Sequence, residues 1–146
     1  MGCHLAVHPT GRFLLTAQYG AGSIALYPID QSGSLKKPQI IKHEGGSKVF
    51  QNRQDRPHPH WTGFSPCGNY ALIPDLGLDQ IVIYKLVPDE MKLIRHGIAQ
   101  TKAGSGPRHM RFSKDGKYIY LLNELDLTVT TFSWNPTSGE ANPIST

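Results

Sequence analysis

The sequence is poor in charge, in cysteine and in long apolar runs. Charged residues make up 18% of its 146 residues, which excludes a disordered polyelectrolyte. No apolar run approaches the roughly 18 residues of a membrane span, and the N-terminal residues show no secretory pattern. Two cysteines, Cys3 and Cys67, do not make a disulfide framework. We therefore expect a cytoplasmic protein that does not associate with a membrane.

The basic residues are too scattered for a nucleic-acid interface. The formal net charge is +4, but the only adjacent basic pair is Lys36-Lys37. A mild positive field would instead help an anionic small molecule to approach. We expect an anionic small-molecule substrate as the partner and no nucleic acid.

A repeat of about 48 residues organises the chain. Three segments align with one another, each around a turn glycine: residues 8–15, 65–72 and 113–120. An aromatic residue follows in each unit, and the glycines and the aromatics are both spaced by 57 and 48 residues. The first unit carries nine extra residues, most simply placed in the polar segment 43–54. The blade-like units are approximately 1–54, 55–102 and 103–146.

Each unit is predicted to form four short antiparallel strands. In the third unit these are roughly 108–113, 118–124 and 128–134, with a fourth beyond Gly139, and the second unit has its fourth strand around 93–100. The first strand alternates between two faces, and Gly116 supplies the positive φ of the tight turn that follows. No segment shows a helical period, so the fold class is all-β.

Four antiparallel strands in 40–50 residues are typical of a β-propeller blade. A propeller closes with about 4–8 blades, whereas residues 1–146 supply about three. We therefore predict a partial β-propeller, an incomplete arc of about three blades. A three-sheet solenoid is the alternative.

The repeat brings four polar residues to one mouth of the propeller channel. His60 and Arg108 are 48 residues apart, so they occupy one position in adjacent blades, at the start of the channel-lining first strand. Arg108 and Glu124 are centred on the turn at Gly116, so an antiparallel hairpin places them nearly opposite each other. By the same construction, Asp75 falls nearly opposite His60.

These residue types suit chemistry on an anionic substrate. His60 can act as a general base near neutral pH, and Arg108 can bind a carboxylate, a phosphate or a developing oxyanion. Glu124 can donate or accept a proton. The structural alternatives are a histidine bonded to a loop, an Arg108–Glu124 salt bridge that ties the hairpin, and an Asp75 side chain that caps the turn at 76–78.

Four motifs carry a family resemblance: Arg56-Pro57-His58-Pro59-His60, Pro74-Asp75-Leu76-Gly77-Leu78-Asp79, Gly106-Pro107-Arg108-His109 and Asn123-Glu124. With them the sequence resembles the seven-bladed β-propeller lactonase family, which also includes muconate cyclases. The resemblance implies seven blades in a complete member. It also implies His60, Arg108 and Glu124 as catalytic residues. We expect Arg56, His58 and Asp75 to contribute to substrate binding.

The function that this resemblance implies is a lactone hydrolase acting without metal on an anionic sugar lactone such as 6-phosphogluconolactone. A muconate-type cycloisomerase would use the same residues, and a non-catalytic propeller acting as an interaction scaffold is the alternative outside enzymes. The spacing of His58 and His60 is also used by zinc sites, but the resemblance implies no metal, and we expect no cofactor. The histidines His43 and His96 are expected at the surface.

An arc of three blades leaves a sheet edge and a sheet face unpartnered at each end, so we predict that the isolated chain self-associates through its open blade edges or is poorly soluble. Light scattering over a concentration series measures this directly. A stable monomer that unfolds cooperatively would contradict the prediction.

Overall fold

The computed structural model describes all 146 residues and contains three four-stranded antiparallel sheets, which confirms the predicted all-β propeller fold. The only helical element is one 3-10 turn at Pro88–Glu90. The structure contains no helix that could span a membrane. Each sheet is a meander in chain order. The strands are β1 (His4–Val7), β2 (Phe13–Gln18), β3 (Ser23–Pro28) and β4 (Gln39–Lys42) in the first blade; β5 (Gly63–Phe64), β6 (Tyr70–Asp75), β7 (Gln80–Val87) and β8 (Lys92–Gln100) in the second; and β9 (Pro107–Phe112), β10 (Tyr118–Asn123), β11 (Val129–Asn135) and β12 (Glu140–Ser145) in the third.

The turn between the first and second strands has the same construction in all three blades. Its glycine has a φ of 72°, 78° or 71° in the first, second and third blade, a left-handed conformation that a side chain disfavours. In the second and third blades, a serine hydroxyl also accepts a hydrogen bond from the backbone N–H that opens the second strand. These pairs are Ser65 with Tyr70 and Ser113 with Tyr118.

The second blade is buried on both faces because it lies between the other two. Strand β6 is buried along its whole length, and its alternating side chains enter two different cores. Ala71 and Ile73 pack with Phe13 and Leu15 of the first blade. Leu72 packs with Leu121, Phe132 and other residues of the third blade. Inter-blade packing therefore supplies the core of this chain.

The first strand of the second blade is shorter than those of the other two blades, and a proline-rich segment precedes it. Pro57 and Pro59 have no N–H to donate to a sheet ladder. Pairing nevertheless continues before β5, since Pro59 bridges Asp75 and the His60 N–H donates to the Pro74 carbonyl at 3.0 Å. Asp75 thus lies opposite Pro59, one residue from the predicted partner His60.

The outer faces of the first and third blades carry exposed apolar side chains. Leu5 and Ile40 lie on the first blade, and Tyr120 and Leu122 on the third. These residues mark the surfaces through which the predicted self-association would occur. The association itself stays a prediction.

We predict that Leu121→Ala lowers the free energy of unfolding of the chain by about 2–5 kcal/mol, as large-to-small changes in a packed core do. The adjacent Leu122→Ala is the matched control, since Leu121 is 0% exposed and Leu122 is 46% exposed on the opposite face of the same strand. It should change stability by no more than about 0.5 kcal/mol. Urea unfolding of both variants checks this, and equal losses would contradict the assigned strand faces.

Candidate functional site

The structure brings His60, Arg108 and Glu124 into one cluster. Arg108 Nη1 donates a hydrogen bond to Glu124 Oε2. His60 Nε2 lies 3.9 Å from the same carboxylate oxygen. An imidazole and a guanidinium therefore meet at one side of the Glu124 carboxylate.

A shift in strand register places Glu124 beside Arg108. The pairing of β9 with β10 shifts between Leu122 and Asn123, so Asn123 pairs with Pro107. The next N–H, that of Glu124, donates to the Gly106 carbonyl at 2.8 Å. The symmetry of the hairpin alone predicts that Glu124 lies near Arg108, and the register shift determines the contact between their side chains.

Cys3 joins the cluster from the first blade, at the position equivalent to His60 and Arg108. Its Sγ lies 3.4 Å from His60 Nδ1. The contact follows from the repeat, because β1 of the first blade lies against β5 of the second. Partial burial raises the pKa of the Cys3 thiol; the positive charge of Arg108 lowers this pKa by less, and the negative charge of Glu124 adds a smaller increase. The thiol therefore stays protonated at neutral pH and is a poor nucleophile.

Arg53 is a further member of the cluster that sequence reasoning missed. Its Nη2 donates a hydrogen bond to Glu124 Oε1, so two guanidinium groups hold the two oxygens of one carboxylate. Arg53 lies in the polar segment 43–54, which we call the insertion segment. One signal pointed to it: the segment contains a single arginine and ends just before the motif that leads to His60. We call Cys3, Arg53, His60, Arg108 and Glu124 the mouth cluster.

Buried hydrogen bonds fix both ends of the insertion segment. His43 Nδ1 donates to Asp75 Oδ2 at 2.7 Å, and Gln54 Nε2 donates to Asp79 Oδ1 at 2.7 Å. The expectation that His43 lies at the surface is therefore wrong: its imidazole is buried against Asp75 and stacks near Tyr84. His96 is exposed, as expected.

Asp79 also ties the second blade to the chain that enters the third. Its Oδ2 accepts a hydrogen bond from the Gly104 N–H at 2.7 Å, and its Oδ1 accepts one from the Gly106 N–H at 2.8 Å. Arg108 follows two residues after Gly106. Buried Asp79 thereby sets the position from which the Arg108 strand begins.

Asp75 faces the protein interior rather than the mouth cluster. Its carboxylate is fully buried, and Oδ1 accepts hydrogen bonds from the backbone N–H groups of His58, Gly77 and Leu78 at 2.7, 3.0 and 3.2 Å. The contacts from Gly77 and Leu78 are the turn cap that the sequence offered as the structural alternative. The bond to His58 also positions the segment that carries His60.

The other two expected substrate-binding residues also lie outside the mouth cluster. His58 is buried, with its ring stacked on Tyr19 at a centroid distance of 4.3 Å and its Nδ1 3.0 Å from the Tyr19 carbonyl. Arg56 is exposed and forms no ion pair. Neither residue, nor Asp75, forms a hydrogen bond or ion pair with His60, Arg108 or Glu124.

The local electrostatics favour a neutral His60 and an ionised Glu124. Burial and then the positive charge of Arg108 lower the pKa of His60. Partial burial by itself raises the pKa of Glu124, but hydrogen bonds from Arg53 and Arg108 outweigh it, so the net pKa lies below the usual value. The bond to Glu124 raises the pKa of Arg53. The mouth cluster thus combines a neutral imidazole, which can accept a proton, with the guanidinium groups of Arg53 and Arg108.

No group of three His, Cys, Asp or Glu side chains in the structure has the arrangement of a metal site. The rings of His58 and His60 have separate partners: the Tyr19 carbonyl for His58 and the Cys3 thiol for His60. The arrangement is suited instead to acid–base chemistry beside an anion.

The chain is thus a three-blade propeller arc with a cluster of basic and acid–base residues at one mouth. The family model described as "Lactonase, 7-bladed beta-propeller" matches residues 1–146. The chain therefore belongs to the seven-bladed β-propeller lactonase family.

The relatives have names that agree with this family. The 6-phosphogluconolactonase of Bacillus subtilis is 38% identical over 143 residues, which are 97% of this chain and 40% of that protein. The solved periplasmic gluconolactonase of Pseudomonas aeruginosa is 33% identical with a TM-score of 0.89, over 97% of this chain and 40% of that one. A solved putative 6-phosphogluconolactonase of Bacteroides fragilis is 35% identical with a TM-score of 0.89, over 99% and 42%. The chain spans about two fifths of the length of these relatives.

We predict that His60 titrates below its usual pKa of 6.5 and that Arg108→Gln raises this pKa, because the variant removes a neighbouring positive charge. Because the pKa of His60 is lower in the folded state than in the unfolded state, its contribution to the free energy of unfolding is present above pH 6.5 and is lost as the pH falls. NMR titration of the imidazole measures the shift.

The matched control for this titration is Arg12→Gln, which removes an exposed arginine in the turn at the other end of the first-blade hairpin. This variant should leave the pKa of His60 unchanged. An unchanged value in Arg108→Gln as well would show that the two side chains do not interact as described.

Proposed function

We propose that the protein hydrolyses an anionic sugar lactone such as 6-phosphogluconolactone, without a metal ion. The observation that carries this proposal is the placement of a neutral imidazole and two arginines around one carboxylate in a chain of the lactonase family. The names of the relatives support the substrate class.

Lactone hydrolysis needs a base for the attacking water, a partner for the oxyanion and a proton for the leaving oxygen. Neutral His60 takes a proton from water as the water oxygen attacks the carbonyl carbon. Arg108 donates hydrogen bonds to the oxyanion of the tetrahedral intermediate. When the ring C–O bond breaks, the imidazolium of His60 returns the proton to the departing oxygen, which becomes a hydroxyl group. The product is the open-chain sugar acid.

Glu124 positions both groups in this mechanism. Its carboxylate holds Arg108 and lies near His60 Nε2, so it favours the imidazolium that forms transiently. We assign Asp75 and His58 to positioning the His60 segment, since both are buried away from the cluster. Exposed Arg56 is free to contact substrate.

A purely structural salt bridge is the competing explanation of the Arg108–Glu124 pair. The side chains are 39% and 23% exposed, and ion pairs in such settings contribute about 0–1 kcal/mol. Such a pair would be a weak stabiliser of the hairpin. One acid for two arginines also leaves one surplus positive charge, which favours an anionic substrate.

The proposed cellular location is the cytoplasm. Both cysteines are free, which suits a reducing compartment. An enzyme whose substrate is a phosphorylated sugar lactone would find that substrate there.

We predict that Arg108→Ala lowers the rate of 6-phosphogluconolactone hydrolysis on the order of 100-fold or more, as the loss of an oxyanion donor does. The melting temperature should hardly change. Arg95→Ala, at an exposed position of β8, is the matched control and should keep full activity. Lower stability with unchanged turnover per folded molecule would support the salt-bridge explanation instead.

The assay uses the isolated chain and a chimera. In the chimera this chain replaces the matching segment of the Bacillus subtilis 6-phosphogluconolactonase, which supplies the remaining blades. A folded chimera that hydrolyses no sugar lactone would overturn the proposed function. Conversion of a muconate but no lactone would favour a cycloisomerase.

A further inference from the structure

Arg53 and Arg108 hold different oxygens of Glu124, and this separates their surroundings. Arg108 shares Oε2 with His60, whose Nε2 is 3.9 Å from that oxygen. Arg53 holds Oε1, the other oxygen. One guanidinium thus shares its carboxylate oxygen with the proposed base, and the second holds the other oxygen.

The backbone around Arg53 is fixed, although its side chain is 42% exposed. The next residue, Gln54, is fully buried, and its side chain bonds to Asp79 and to the Leu76 carbonyl at 2.7 and 2.9 Å. Lys48 and Asn52 in the same segment have φ values of 60° and 66°. Non-glycine residues at positive φ cost energy and persist where the surroundings enforce them. The insertion segment therefore holds a cation at one defined place.

We propose that Arg53 is the specificity-determining residue that binds the phosphate group of the substrate, and that Glu124 occupies this site in the free protein. This inference rests on the proposed function. A guanidinium can form two parallel charge-assisted hydrogen bonds to a phosphate, which carries more charge than a carboxylate. The incoming phosphate takes over Arg53 from Glu124 Oε1, while Arg108 stays with His60 at the carbonyl.

The net charge of the cluster favours entry of a phosphate. Two arginines and one glutamate carry a net charge of +1 when His60 is neutral, which attracts the phosphate and offsets part of its charge of about −1.5 to −2. Loss of the Arg53 bond removes one of the two hydrogen bonds that hold the pKa of Glu124 down. Substrate binding would therefore make Glu124 a stronger base next to His60.

Calorimetric titration of the chimera described above with 6-phosphogluconate and with gluconate tests the proposal, since these stable sugar acids differ by the phosphate. Arg53→Gln should weaken binding of 6-phosphogluconate about 10- to 100-fold, the worth of a charge-assisted hydrogen bond, and leave gluconate binding unchanged. Arg53→Lys, which keeps the charge, should recover part of the loss. Lys48→Gln, an exposed cation of the same segment, is the matched control and should bind both ligands normally.

Glu124→Gln should change the affinity for 6-phosphogluconate in the opposite direction to Arg53→Gln. It removes the internal competitor for Arg53, so 6-phosphogluconate should bind more tightly than to the unaltered chimera. If Glu124 merely held the arginines in place, binding would weaken. A thermal melt of each variant confirms that it is folded.

The outcomes separate this inference from the proposed function. If both sugar acids bind and Arg53→Gln weakens both equally or neither, the role of Arg53 is wrong and the proposed function stands. If neither sugar acid binds to the folded, unaltered chimera, the proposed substrate class is wrong and the inference falls with it.

Discussion

The buried carboxylates of Asp75 and Asp79 hold together the parts of the chain that build the mouth cluster. Asp75 binds His43 of the insertion segment and the backbone of His58, while Asp79 binds Gln54 and the two glycine N–H groups that precede Arg108. A buried carboxylate is costly unless hydrogen bonds satisfy it, so each carboxylate constrains every segment that donates to it. Three segments distant in sequence are therefore fixed relative to one another, and Arg53, His60 and Arg108 come with them.

Many polar residues occur in this small region because they have two different roles. Asp75 and Asp79 hold the chain segments in place, and the mouth cluster presents charged groups. Asp75 and Asp79 are buried and bind backbone N–H groups together with the buried side chains of His43 and Gln54, whereas Glu124 is partly exposed and binds charged side chains. The first group provides rigidity, and the second provides a charged surface with surplus positive charge. Preorganised donors of this kind stabilise developing negative charge without reorganising during the reaction.

The repeat predicts much of this arrangement, and its irregularities account for the rest. Equivalent positions in successive blades explain why Cys3, His60 and Arg108 converge, and hairpin symmetry brings Glu124 to Arg108. Asp75 is equivalent in the repeat to Asn123, not to Glu124: it lies opposite Pro59 as Asn123 lies opposite Pro107, and both side chains are buried. The repeat does not predict the position of Arg53, because the insertion segment has no equivalent in the other units. The spacing of the repeat therefore gives no information about where this segment lies.

The central claim is that segments from three blades form one anion site with two distinct guanidinium positions. A crystal structure of the chain with bound 6-phosphogluconate tests it most directly. The account predicts phosphate oxygens on Arg53, the sugar carboxylate on Arg108 with His60 within hydrogen-bonding distance, and Glu124 released from Arg53. A ligand bound elsewhere, or bound here with Glu124 still paired to both arginines, would contradict it.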